Sequence, residues 1–165
     1  MKKKVEIIQV KVESNVVNDE LNNQESNLLE KAIEASKNAY APYSRFNVGA
    51  AVLLEDGTIV IGNNQENVAY PSGLCAERVA FFAAGAQYPG KEIRSVAIYA
   101  FSDLFEVKDA VAPCGACRQA MAEYELKQGK PISLLIAGPL GNVKKITDIS
   151  SLLPLIFNET NLKKR

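Results

Sequence analysis

Histidine is absent from the 165-residue chain. That absence removes every mechanism with an imidazole base, the familiar serine and cysteine triads among them, and any metal site that needs imidazole. Acid–base work then falls to a carboxylate, a tyrosine, a lysine or a metal-bound water. Net charge is absent as well, because nineteen basic side chains cancel nineteen acidic ones. No excess positive field draws in DNA, RNA or an anionic membrane, and a small neutral ligand suits this balance better. No apolar run reaches the roughly 18 residues of a membrane-spanning helix. The start Met1-Lys2-Lys3-Lys4 leads into mixed polar sequence, with no apolar core of an export signal. The expectation is a soluble, cytoplasmic protein. Cysteine is scarce, and three is an odd number. Without an export signal this argues against a disulfide framework and for free thiols or metal ligands.

What is present is an ordinary globular composition, 47% apolar, sufficient for one packed domain. Residues 1–24 alternate weakly and end in a polar run, which reads as either a short strand or a loose arm. They are set apart as an extension of unknown role before a single domain at 25–165. Leu28, Leu29, Ala32, Ile33, Ala35 and Ala39 recur at helical spacing, so a helix is predicted from Ser26 to about Tyr40, stopped by Ala41-Pro42-Tyr43-Ser44. Two strands around Val48–Leu54 and Thr58–Gly62 are joined by a tight Asp56-Gly57 turn. Further strands are predicted at Ser95–Ala100, Ile132–Ile136 and Val143–Ile146. Helices are predicted to open near Cys75 and at Pro113-Cys114. Alternating strands and helices imply an α/β protein, a three-layer α/β/α arrangement around a mixed five-stranded sheet.

The chemistry concentrates in two short tracts, Cys75-Ala76-Glu77-Arg78 and Pro113-Cys114-Gly115-Ala116-Cys117. Each sits where a helix starts after a loop. A helix N-terminus presents unpaired N–H groups and partial positive charge, which favour the thiolate that binds zinc. One turn of helix brings Cys114 and Cys117 together, and Cys75 closes on them from the second helix start. Three cysteines and no histidine leave one position of tetrahedral zinc open, the mark of a catalytic site. A water there becomes hydroxide-like near neutral pH, and Glu77 is close enough to exchange protons with it. Three thiolates leave a net negative charge on the site, which Arg78 is positioned to offset. A lone Cys-x-x-Cys also suits a redox pair or half of a structural zinc site. A redox pair leaves Cys75 unexplained, and a structural site needs a fourth ligand from a carboxylate or a second chain.

Cys75-Ala76-Glu77 followed by Pro113-Cys114-x-x-Cys117 resembles the zinc signature of nucleoside and nucleobase deaminases, whose glutamate is not a zinc ligand. From about Leu28 to Phe157 the chain is similar to the small homotetrameric bacterial cytidine deaminases. Tyr40-Ala-Pro-Tyr43-Ser-Arg-Phe46-Asn-Val-Gly49 looks like that family's opening segment, and Gly62-Asn-Asn64-Gln-Glu66-Asn67 like its ribose-binding loop. The resemblance implies one Zn²⁺ per chain on Cys75, Cys114 and Cys117, with Glu77 as the proton carrier. It implies that Asn64 and Glu66 hold the ribose 3′-hydroxyl, that Phe46 packs beside the nucleoside, and that Ala76 belongs to the substrate site. It further implies a homotetramer with shared active sites, in which Phe157 reaches a neighbour's site. A carboxylate and an amide two residues apart in an extended loop agree in kind with a two-pronged grip on a sugar hydroxyl. The family often has cysteine where this chain has Asn63, so the thiol count stays at three.

The implied activity is hydrolytic deamination of cytidine and 2′-deoxycytidine in pyrimidine salvage. Deamination of another aminated heterocycle, such as blasticidin S, is the alternative within chemistry, and a non-catalytic zinc module is the alternative outside it. Asn64 and Glu66 speak against a free base, which offers no sugar to grip. An editor of polynucleotides would need the basic stripe that the chain lacks.

Overall fold

A computed structural model describes residues 7, 9–16, 20–159 and 162. Six strands form one mixed sheet: β1 Val12–Val16, β2 Phe46–Leu54, β3 Ile59–Asn63, β4 Ile93–Ser102, β5 Ser133–Ala137 and β6 Val143–Ile146. Their order across the sheet is β1-β6-β5-β4-β2-β3. β4 and β5 run parallel, and every other pair is antiparallel. Three α-helices accompany the sheet: α1 Asn23–Ser36, α2 Ala76–Gln87 and α3 Gly115–Gln128.

The alternation along the strands builds the expected three layers. Ala51, Leu53, Ala97, Leu135 and Ala137 face α1 and pack with Leu28, Leu29 and Ala32. Their sequence neighbours Ala50, Val52, Leu54, Val96, Ile98, Leu134 and Ile136 point the other way, into a core shared with Ala80 and Phe81 of α2 and Cys117 and Met121 of α3. The sheet has six strands where five are expected. The sixth comes from the segment before the first helix, which pairs Val12 with Ile146 and Glu13 with Lys145 along the open edge of β6. Val12, Glu13 and Ser14 are exposed, so no core-facing pattern announces the strand; the unpaired edge of β6 organises it.

The first helix begins earlier and ends earlier than its apolar spacing suggests. Asn22 caps it by accepting from the N–H groups of Gln24 and Glu25, both at 3.0 Å, while the Glu25 carboxylate accepts from Asn22 N at 3.1 Å. After Ser36 the chain turns and Tyr40 joins the loop following β3, donating to Asn64 O at 2.9 Å and accepting from Glu66 N at 2.8 Å. The Asp56-Gly57 turn is as expected, with Gly57 at φ 88 and Leu54 N donating to Thr58 O at 2.8 Å.

Two glycines set how closely the helices approach. A Cβ at Gly49 would lie 2.0 Å from Ala32 O in α1, and one at Gly62 would lie 2.5 Å from Ala80 N and 2.7 Å from Ala76 O in α2. The missing side chains let one helix settle on each face of the β2–β3 hairpin. Glu125 does comparable work at the far end of α3. Its buried carboxylate accepts from Ile132 N at 2.7 Å, from Ile149 N and Ser150 N at 2.9 Å each, and from the Ser150 hydroxyl. It thereby ties the chain before β5 and the segment after β6 to α3. No helix among the described residues is long and apolar enough to cross a membrane.

Because Gly62 seats the helix that begins after Cys75, Gly62→Ala is expected to destabilise the fold by about 1–3 kcal/mol through backbone overlap. Differential scanning calorimetry should read this as a Tm lower by about 2–4 °C for each kcal/mol; an unchanged Tm would mean that α2 is not held by that contact.

Candidate active site

Both chemistry-bearing tracts lie at helix starts, and the fold brings the two starts to one point. Cys75 is the N-cap of α2 (φ −71, ψ 154) and Cys114 the N-cap of α3 (φ −67, ψ 166), and neither side chain is used to cap its own helix. Cys117 is the third residue of α3 and points into the core. The Sγ atoms of Cys75 and Cys114 are 4.0 Å apart, and all three sulfurs lie within 4.8 Å of one another. Tetrahedral zinc with Zn–S bonds of about 2.3 Å would hold its sulfurs about 3.8 Å apart. The three thiols therefore fit one zinc ion with small side-chain adjustments.

The electrostatics point the same way. A hydrogen bond from the Cys117 thiol lowers the Cys75 pKa to about 5, with burial opposing it and the Arg78 guanidinium assisting. Cys117 is pushed upward, first by that same shared hydrogen bond and then by burial. Arg78 stands beside these sulfurs: burial disfavours its charge, but Cys75 and Cys117 outweigh that effect and raise its pKa. Its guanidinium donates to Gly73 O at 3.4 Å, and its Nε is buried with no hydrogen-bond partner among the described residues. An incompletely satisfied cation against sulfur is what a full set of thiolates would complete.

Glu77, the second residue of α2, is only 5% exposed. Burial raises its pKa, and the charge on Cys75 adds to the effect. A cleft of about 690 Å³ is lined by Cys75, Cys114, Glu77 and Arg78, and also by Phe46, Asn64 and Glu66. Two of the three metal candidates, the buried acid and the sugar-binding candidates thus share one cavity, although Phe46 and Cys114 are 68 positions apart in the sequence.

The loop carrying Asn64 and Glu66 is held by an isolated β-bridge on each side, to Tyr40 and to Leu74. Gln65 exchanges hydrogen bonds with Leu74 at 2.9 and 3.0 Å, while its neighbours bond to Tyr40 on the other side. Leu74 directly precedes Cys75, so the distance from the loop to the cysteine cluster is set by backbone pairing. The Asn64 side chain accepts from Val48 N at 2.8 Å and donates to Phe46 O at 2.9 Å. Glu66 accepts from Tyr43 N at 2.9 Å, from Ser44 N at 3.2 Å and from the Ser44 hydroxyl. Burial works against its charge, but the Ser44 and Tyr43 hydrogen bonds prevail and lower its pKa.

Three expected site residues do not line this cleft: Cys117, which is fully buried in the core, Ala76 and Phe157. Ala76 is fully buried at the start of α2. Phe157 is 67% exposed, and its carbonyl accepts from Gln119 Nε2 at 2.8 Å. Neither lines the cleft of its own chain. Phe105, which lies between the strand predicted to Ala100 and the helix predicted from Pro113, stacks on Phe46 with ring centroids 6.3 Å apart. Ser44 also escapes a motif search, although a serine two residues before a strand is a recognisable turn signal.

Residues 22–129 match the sequence model of a family described as the cytidine and deoxycytidylate deaminase zinc-binding region. A cytidine deaminase of Halalkalibacterium halodurans is 39% identical over 135 residues, 82% of this chain and 95% of that one. The crystal structure of cytidine deaminase from Burkholderia pseudomallei superposes with a TM-score of 0.69 at 41% identity, covering 79% of this chain and 97% of that chain. That of the Mycobacterium tuberculosis cytidine deaminase gives 0.60 at 34% identity, with coverage of 80% and 95%.

Removing one of three ligands should abolish tight metal binding. Cys117→Ser is expected to reduce zinc from about one ion per chain to nearly none after dialysis. Elemental analysis of the purified variant reads this directly, and full retention of zinc would exclude Cys117 as a ligand.

Proposed function

The chain belongs to the cytidine and deoxycytidylate deaminase zinc-binding family, and from that membership we propose that it hydrolyses cytidine and 2′-deoxycytidine to uridine and 2′-deoxyuridine, releasing ammonia, in pyrimidine salvage. The observation that carries this reading is a buried glutamate, Glu77, in the same cleft as two sulfurs of a three-thiol cluster and a paired amide and carboxylate.

Cys75, Cys114 and Cys117 would hold one zinc ion, which supplies the Lewis acidity that makes water a nucleophile near neutral pH. Glu77 takes the proton that the attacking water loses, passes it to N3 of the pyrimidine, and later helps protonate the amine leaving C4. Its burial raises its affinity for that proton. Arg78 offsets the charge of the thiolates. Phe46 packs beside the nucleoside, and Ala76, whose side chain is buried, meets the substrate through its backbone. Asn64 and Glu66 grip the 3′-hydroxyl as donor and acceptor. Nothing in this arrangement calls on the 2′-hydroxyl, so both sugars are accommodated.

The active enzyme is a cytoplasmic homotetramer in this reading, and Phe157 completes a neighbour's cleft. Its exposure supports this, as does its tether to Gln119, two residues after Cys117.

Loss of the ultraviolet absorbance of the 4-amino chromophore follows the reaction. Glu77→Gln should lower kcat by about 10²–10⁴-fold with zinc retained. Unchanged turnover in that variant would remove the proton-carrier role and favour a non-catalytic zinc module. Light scattering should give the mass of four chains, and Phe157→Ala should raise KM for cytidine by about three- to tenfold through a lost aromatic contact. A monomer of full activity would exclude a contribution from a neighbour.

A further inference from the structure

The Ser44 hydroxyl joins the Glu66 side chain to the backbone of Phe46, two cleft-lining residues from different parts of the chain. It donates to the Glu66 carboxylate and accepts from Phe46 N at 3.0 Å. Between Ser44 and Phe46, Arg45 has φ 55, the one positive φ outside glycine among the described residues. A non-glycine residue occupies that region when its surroundings hold it there. Arg45 N donates to Ala41 O at 3.0 Å, and the bonds through Ser44 hold the other side of the turn.

Counting acceptor sites shows what this leaves for a ligand. An ionised carboxylate offers about four lone-pair directions, and Tyr43 N, Ser44 N and the Ser44 hydroxyl take three. One acceptor direction remains on Glu66. The Asn64 amide, already bonded to Val48 N and Phe46 O, has one N–H left. Together they match one hydroxyl, which donates once and accepts once. Which way the free Glu66 lone pair faces depends on the three bonds that hold the carboxylate, and only the Ser44 hydroxyl belongs to a side chain.

We propose that Ser44 is a positioning residue for the substrate sugar: its hydroxyl, shared between Glu66 and the backbone of Phe46, aims the last free lone pair of Glu66 at the sugar 3′-hydroxyl. This rests on the sugar-binding reading of Glu66 given above. Ser44 acts through Glu66, so its effect exists only when the substrate carries the hydroxyl that Glu66 binds.

The test compares Ser44→Ala, Ser44→Thr and Glu66→Gln in the zinc-loaded enzyme, each with cytidine and with 2′,3′-dideoxycytidine, which lacks the 3′-hydroxyl. Ser44→Ala should raise KM for cytidine about tenfold with kcat changed less than about twofold. Its loss in kcat/KM should shrink to less than about twofold with the dideoxy substrate, and Ser44→Thr, which keeps the hydroxyl, should stay near the parent enzyme. Equal losses on both substrates, or a fall in kcat with KM unmoved, would overturn the proposal and leave Ser44 as part of the turn alone. Glu66→Gln separates the two levels. If it is selective for the 3′-hydroxyl and Ser44→Ala is not, only the role of Ser44 falls. If Glu66→Gln leaves KM for cytidine unchanged, the sugar-binding reading of Glu66 fails and the Ser44 role fails with it.

Discussion

Three sulfur atoms within 4.8 Å of one another repel once more than one is ionised, and much of the molecule is arranged around making that cluster tolerable. Two helices begin there, so the partial positive charge of both N-termini falls on the same few ångströms. Arg78 adds a full charge, and its buried Nε has no other partner among the described residues. The hydrogen bond that Cys75 and Cys117 share lowers the first thiol and raises the second. A zinc ion on the three sulfurs supplies further positive charge at the same point.

The convergence of the two helix starts depends on packing far from the sulfurs. α2 reaches its place because Gly62 has no side chain to hold it off the sheet. α3 is fixed at its other end by the four hydrogen bonds to the buried Glu125 carboxylate and by Gln128, whose amide pairs with both backbone groups of Ile93 at 3.0 and 2.8 Å. Each backbone N–H left unpartnered in such a place would cost about 1–3 kcal/mol. Polar groups here thus specify where the helix bearing Cys114 and Cys117 lies, while the apolar core supplies its general attachment.

The loop bearing Asn64 and Glu66 is coupled to the cysteine cluster by backbone pairing. Gln65 pairs with Leu74 immediately before Cys75, and Tyr40 pairs on the opposite side with Asn64 and Glu66. A site that grips a sugar hydroxyl and presents a metal to the base selects one nucleoside conformation, and it gains from a frame that holds the two parts at one distance. The C-terminal segment is tied to the same corner. Arg118 donates to Pro113 O at 2.8 Å and to Leu152 O at 3.2 Å, and Gln119 to Phe157 O, so the segment bearing Phe157 leaves the chain from beside the thiols.

The sequence alone determined the reactive groups and the class of fold. With no histidine and three cysteines, a metal site has thiolates and carboxylates as its available ligands. The Cys-Ala-Glu and Pro-Cys-x-x-Cys tracts are local enough to place their thiols at helix starts, and the period-two and helical patterns suffice for three layers because each reflects burial on one face. What the sequence could not contain is set by contacts between distant segments. The sixth strand exists because β6 offers an edge. Glu125 looks like an ordinary surface glutamate of a helix until β5 and the segment after β6 present their N–H groups to it, and Phe105 looks like a loop residue until it meets Phe46. The role of Ser44 appears only when Glu66, twenty-two positions away, is folded against it. Patterns of hydrophobicity report which face of an element is buried; they carry no record of which polar group answers which, and that pairing was decided by tertiary structure alone.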